Sequence, residues 1–120
     1  MSTEAQIISP IFGCRGVPLK ESAFEAHKAF QKAWVVINEQ GLVVTEEACP
    51  RLKQVETGLD GTHLTIAFPG MFFRLSLTGQ PKAQTEAIIE GQSRTVGLEP
   101  LLYSLALSQF LGLQVRLVRL

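Results

Sequence analysis

A chain of 120 residues with 46% hydrophobic residues can bury one ordinary core and is too short to suggest two. Eleven basic residues balance eleven acidic ones, and a net charge of zero excludes a global field that steers the chain to nucleic acid or to an anionic membrane. No apolar run approaches the roughly eighteen residues of a membrane span, and Met1-Ser2-Thr3-Glu4 lacks the basic start of a secretory signal, so one soluble, cytoplasmic domain over residues 1–120 is expected.

Residues 5–12 read as an apolar first strand that stops at Gly13. Gly16-Val17-Pro18 returns to extended structure, because proline disfavours helix in the residue before it. Residues 17–28 are ambiguous, since Glu21, Ala23, Glu25 and Ala26 are helix formers. Trp34-Val35-Val36-Ile37 and Leu42-Val43-Val44-Thr45 flank Asn38-Glu39-Gln40-Gly41 as a hairpin. A second hairpin sets residues 52–59 against 64–68 through Asp60-Gly61, and Pro69-Gly70 closes it. Residues 72–77 form another strand, Gly79-Gln80-Pro81 a loop, and Ala87-Ile88-Ile89 one more strand.

A single helix is expected over Leu101–Leu111, with Glu99-Pro100 at its head and Gly112 supplying the left-handed residue past its end. Leu98, Leu101, Leu102 and Leu105 share one of its faces, Tyr103, Leu107, Phe110 and Leu111 populate much of the other, and Ser104 and Ser108 leave only a narrow polar stripe. Residues 113–120 end the chain as a partly alternating strand.

The stretch Pro10-Ile11-Phe12-Gly13-Cys14-Arg15-Gly16-Val17 resembles the Pro-Ile-Lys-Ser-Cys-Arg-Gly-Val opening of the N-terminal β-barrel domain of the MOSC family, the molybdenum cofactor sulfurase-like and amidoxime-reducing proteins. Phe30-Gln31-Lys32-Ala33-Trp34-Val35-Val36 is similar to that family's Phe-Asp-Arg-x-Trp-x-Val stretch, and Thr45-Glu46-Glu47-Ala48-Cys49-Pro50-Arg51-Leu52 to its Thr-Gln-Arg-x-x-Pro-Arg-Leu stretch. Leu107-Ser108-Gln109-Phe110-Leu111-Gly112 and Val115-Arg116-Leu117-Val118 match the helix and strand that end that domain. The resemblance implies extended structure across residues 19–29. Pattern and resemblance together imply a mainly β fold, a small and partly closed barrel of roughly seven to nine strands with one α-helix near the C-terminus.

In the resembled family this barrel precedes a larger MOSC domain that carries the molybdenum-ligating cysteine. The barrel itself contributes cationic and polar groups to the anionic pterin cofactor. At the matching positions this chain has Phe12 for lysine, Gly13 for serine, Lys32 for arginine and Glu47 for a second arginine. Phosphate binding rests on charge-assisted hydrogen bonds, so with Lys32 as the one remaining cation the expectation is a degenerate surface and no cofactor.

Cys14 and Cys49 have no zinc-type spacing and read as reduced thiols, while His27 and His63 lack a second ligand, so no metal is expected. Three functions remain. The leading one is a non-catalytic binding or interaction module that self-associates or binds a separate MOSC-domain chain through Tyr103, Leu107, Phe110 and Leu111. The second is a subunit or remnant of a molybdenum-cofactor enzyme, or a thiol-dependent activity at Cys14, whose neighbour Arg15 can lower a thiol's pKa. The third is an apolar ligand held at a barrel mouth lined by Phe12, Trp34, Phe72 and Phe73.

Overall fold

Trp34-Val35-Val36-Ile37 is apolar without alternation, the pattern of a strand covered on both faces, and the molecule is organised around it. A computed structural model describes residues 6–19 and 27–120. These form strands β1 (Gln6–Ile8), β2 (Val17–Leu19), β3 (Trp34–Ile37), β4 (Glu56–Leu59), β5 (His63–Phe68), β6 (Met71–Ser76), β7 (Ala83–Ile89), β8 (Gln92–Leu98) and β9 (Arg116–Arg119), with one helix, α1 (Leu101–Leu111). Short 3-10 turns occupy Lys28–Phe30 and Pro50–Gln54. Among the described residues no helix is long and apolar enough to cross a membrane.

β3 pairs antiparallel with β9 along its whole length, from Trp34 opposite Arg119 to Ile37 opposite Arg116. Side chains alternate across a strand, so this pair divides two cores. Trp34, Val36 and Leu117 enter a large cluster with Leu52, Leu64, Ile66 and Leu107. Val35, Ile37 and Val118 enter a smaller one with Ala87 and Val96.

The sheets run β3-β9-β8-β7, β4-β5-β6 and β1-β2. The first closes on itself, because Leu42 bridges Ile88 of β7 while Val43 bridges Ile37 of β3. The smaller cluster lies inside that ring. β4-β5-β6 and α1 contribute to the large cluster, and β1-β2 is tied in by bridges from Arg15 to Glu56 and from Ile11 to Trp34. The fold is mainly β with its helix near the C-terminus, as the sequence led us to expect.

Among the described residues β6 has no strand partner on its far side. Side chains close that seam instead. The Arg119 guanidinium donates to the carbonyls of Ser76 at 2.8 Å, Leu77 at 3.3 Å and Gly79 at 2.5 Å. Tyr103 Oη donates to the Arg74 carbonyl at 3.3 Å. Arg119 Nε and Trp34 Nε1 both donate to Glu99 Oε2, at 2.9 and 2.7 Å, and the guanidinium carbon lies 4.7 Å from the Trp34 ring centre. Glu99 is buried, yet its charge is met by an arginine and its oxygen by two donors, the condition under which a buried carboxylate is tolerated.

Several boundaries differ from expectation for local reasons. β1 ends at Ile8, and beyond Pro10, which lacks an N–H, the Phe12 amide bonds to the Trp34 carbonyl at 3.0 Å. Leu42 to Thr45 makes isolated bridges in place of a full strand, because Asn38 Oδ1 takes the Gln40 and Leu42 amides and Leu42 turns to β7. The second hairpin begins at Glu56, since Pro50 opens a 3-10 turn through Leu52. β8 is an added strand, reached through Glu90 and Gly91 at φ 52 and 80, a turn pair that matches strand twist. Of the extended structure implied across residues 19–29, only Leu19, at the end of β2, lies in a strand; His27 is helical and Lys28–Phe30 is a 3-10 turn, while Ala5 and residues 20–26 lie outside the described residues. α1 spans the expected residues and ends on Gly112 at φ 78, but Glu99 turns inward and does not cap it.

Candidate functional site

The loop after β1 is fixed by backbone bonds: the Phe12 amide to Trp34, the Cys14 amide to the Ile11 carbonyl at 3.2 Å, and the Arg15 amide to Val55 at 3.0 Å. Its bend passes through Gly13 at φ +88, where a side chain would be strained and its Cβ would sit 3.2 Å from Leu52 Cδ1. Lys32 also takes a left-handed conformation, φ 53, with its amide held by the Ser9 carbonyl at 2.8 Å. Phe12, Gly13 and Cys14 meet Lys32 and Glu47, from two distant stretches of the chain, in one cleft of about 270 Å³.

The chemistry of that cleft is mixed. Lys32 Nζ sits 5.5 Å from the Phe12 ring centre, and Lys53 Nζ pairs with Glu46 Oε2 at 3.2 Å. Two lysines therefore face Glu46 and Glu47. A phosphate entering would meet an aromatic ring and carboxylates where it needs donors, and a serine hydroxyl at position 13 would require a strained backbone. The residues present do not fit an anionic pterin cofactor.

Cys14 is 2% exposed, and burial pushes its thiol up from the ordinary 9.0 to about 12, with Lys53 lowering it and Cys49 raising it by less. That is opposite to activation, and Cys14 packs within the large cluster. Alkylation of native protein by iodoacetamide at pH 8 is expected to be at least about a hundredfold slower than that of urea-unfolded protein. Equal rates would return Cys14 to the list of nucleophiles. The same shift makes stability fall as pH rises above about 9, because the unfolded chain ionises there while the folded chain keeps its proton.

The helix face expected to be an interface is turned inward. Leu107 and Leu111 are buried, and Tyr103 and Phe110 pack against the large cluster, Tyr103 stacked on Phe73 at 4.4 Å and Phe110 on Phe68 at 4.8 Å. The exposed face is Leu101, Leu102 and Leu105, at 56, 67 and 53%. The four rings of the expected barrel mouth do not meet: Trp34 is sealed in the core, Phe72 is exposed, Phe73 stacks on Tyr103, and Phe12 lines the cleft. Among the described residues no group of three His, Cys, Asp or Glu side chains is placed to hold a metal ion.

Sequence reasoning missed the Trp34, Glu99 and Arg119 constellation. A tryptophan on one strand, an arginine on another and a glutamate before a helix carry no spacing that predicts their meeting; only the register of β3 against β9, with Trp34 opposite Arg119, brings the first two together.

Comparison with known proteins places this geometry. The model of the MOSC N-terminal beta barrel domain matches residues 4–97. The chain is similar to human mitochondrial amidoxime-reducing component 1, with 33% identity over 73 residues, covering 56% of this chain and 22% of that protein. It is also similar to the solution structure of a Bordetella bronchiseptica protein, with a TM-score of 0.77 and 27% identity, covering all of this chain and 90% of the other.

Proposed function

Because the chain belongs to the family of MOSC N-terminal β-barrel domains, we propose that it is a non-catalytic interaction module, joining a second copy of itself or a separate MOSC-domain chain through the outer face of α1. The observation that carries this reading is the exposure of Leu101, Leu102 and Leu105 on one helix whose other face is already in the core. Three adjacent exposed leucines form the kind of apolar patch that marks an association surface. The Phe12 cleft supports it from the other side, since its charges are balanced by carboxylates and leave no cationic cradle for a phosphate. The chain spans about a fifth of the length of the human relative that it matches.

Sedimentation equilibrium tests the reading, on the chain alone and mixed with a MOSC-domain protein of the same cell. A dimer or mixed complex is expected, weakened about tenfold or more by Leu102→Asp with Leu105→Asp while the circular dichroism stays unchanged. A monomer in both preparations at high concentration would sink it.

A further inference from the structure

A second cavity, of about 660 Å³, opens along the seam beside β6. It shares no residue with the Phe12 cleft. Its walls are largely apolar, built from Pro81, Leu98, Pro100, Leu101 and the Tyr103 ring. Around them stand four cations, Arg74, Lys82, Arg116 and Arg119, against a single lining carboxylate, Glu99.

In a chain whose charges cancel, that local excess is a departure. Glu99 offsets Arg119, with which it pairs through Oε2 at 2.9 Å, and leaves the other three cations without a carboxylate in the cavity wall. Arg74 is braced by Asp60 at 3.2 Å, whose carboxylate also accepts the Thr62 and His63 amides at 3.0 and 2.7 Å. Lys82 and Arg116 have no carboxylate partner among the described residues. Arg15 is paired with Glu56 and Arg51 with the Phe110 carbonyl, while exposed Arg94, on β8, lies outside this cavity. A concave apolar surface with a few convergent charges, in the volume range of roughly 300–1,000 Å³, is the form of a small-molecule site.

We propose that this seam binds a small organic anion: an aromatic or aliphatic body seated on Pro81, Leu98, Leu101 and Tyr103, with its carboxylate, sulfonate or phosphate held by Lys82 and Arg116. Arg74 and Arg119 are neutralised by Asp60 and Glu99, so the net positive charge of the cavity is that of Lys82 and Arg116. Leu101 borders both this seam and the proposed association face of α1, whereas Pro81, Lys82, Leu98 and Arg116 lie off that helix.

The probe is anilinonaphthalene sulfonate, an apolar body with one fixed negative charge, titrated by fluorescence and by amide NMR. Saturable binding is expected, with the largest shifts at Ala83, Leu98, Leu101 and Arg116. Lys82→Glu with Arg116→Glu should weaken it by about tenfold or more, Lys32→Glu should leave it unchanged, and the uncharged phenylnaphthylamine should bind about tenfold more weakly. Shifts centred on Leu102 and Leu105 or on the Phe12 cleft would overturn the proposal, as would equal affinity for the uncharged probe. Because the mapping is made on the unaltered chain, the site remains testable even if the charge-reversed variant does not fold.

Discussion

Arg119→Ala is expected to lower folding stability by about 3–5 kcal/mol, read as a fall in the urea midpoint. The side chain is 16% exposed and Glu99 is 5% exposed, so removing the guanidinium leaves a carboxylate in the core with only the Trp34 N–H for company. It also releases the carbonyls of Ser76, Leu77 and Gly79, which together close the seam between β6 and the four-stranded sheet. Arg119→Lys should recover part of the loss and no more, because an ammonium cannot reach Glu99 and the three carbonyls at once. Glu99→Gln separates the two contributions. The amide oxygen still accepts from Trp34, and no charge is stranded when Arg119 is then removed, so Arg119→Ala should cost less by about 1–3 kcal/mol in the Glu99→Gln background. Additive losses would show that the seam carbonyls, and not the buried charge, account for the arginine.

The second large effect separates the two faces of α1. Leu107→Ala should destabilise the protein by about 2–5 kcal/mol, since Leu107 is fully buried and its removal leaves a cavity among Leu52, Leu64 and Leu117. Leu102→Ala should change stability by no more than about 0.5 kcal/mol, because the residue is 67% exposed and lies outside the core cluster. Thermal unfolding of the two variants at low protein concentration checks this. If Leu102→Ala were the costlier, the leucine face would be part of the fold and unavailable to a partner.

Which face turned inward was not legible in the sequence. Both stripes of α1 are leucine-rich, and the choice was made by non-local contacts: Ser104 and Ser108 bond to the backbone of Leu117 and Val115, which rolls the serine stripe onto β9. The ends of the same helix were legible, because Pro100 and Gly112 act within one turn. The hairpin through Asp60-Gly61 was readable for the same reason, as its turn is held locally by the Asp60 side chain. β8 was hidden, since most of its residues are exposed and polar and give no strand pattern. The Phe12 cleft was reached through family resemblance, which aligned positions 12, 13, 32 and 47 before any geometry joined them. The seam cavity is drawn from β6, the loop after it, the start of α1 and β9, and no motif spans such a set.

The guarded edge of β6 bears on how the protein behaves in a crowded solution. In its register with β5, Arg74 and Ser76 occupy positions whose backbone groups point outward, and an open row of this kind invites strands from neighbouring molecules. Tyr103 and Arg119 already occupy the carbonyls of those two residues. Exposed Phe72 lies beside them and would give an intruding strand an apolar foothold if the row came free. The protection of the β6 edge and the burial of Glu99 therefore share one fastening, Arg119.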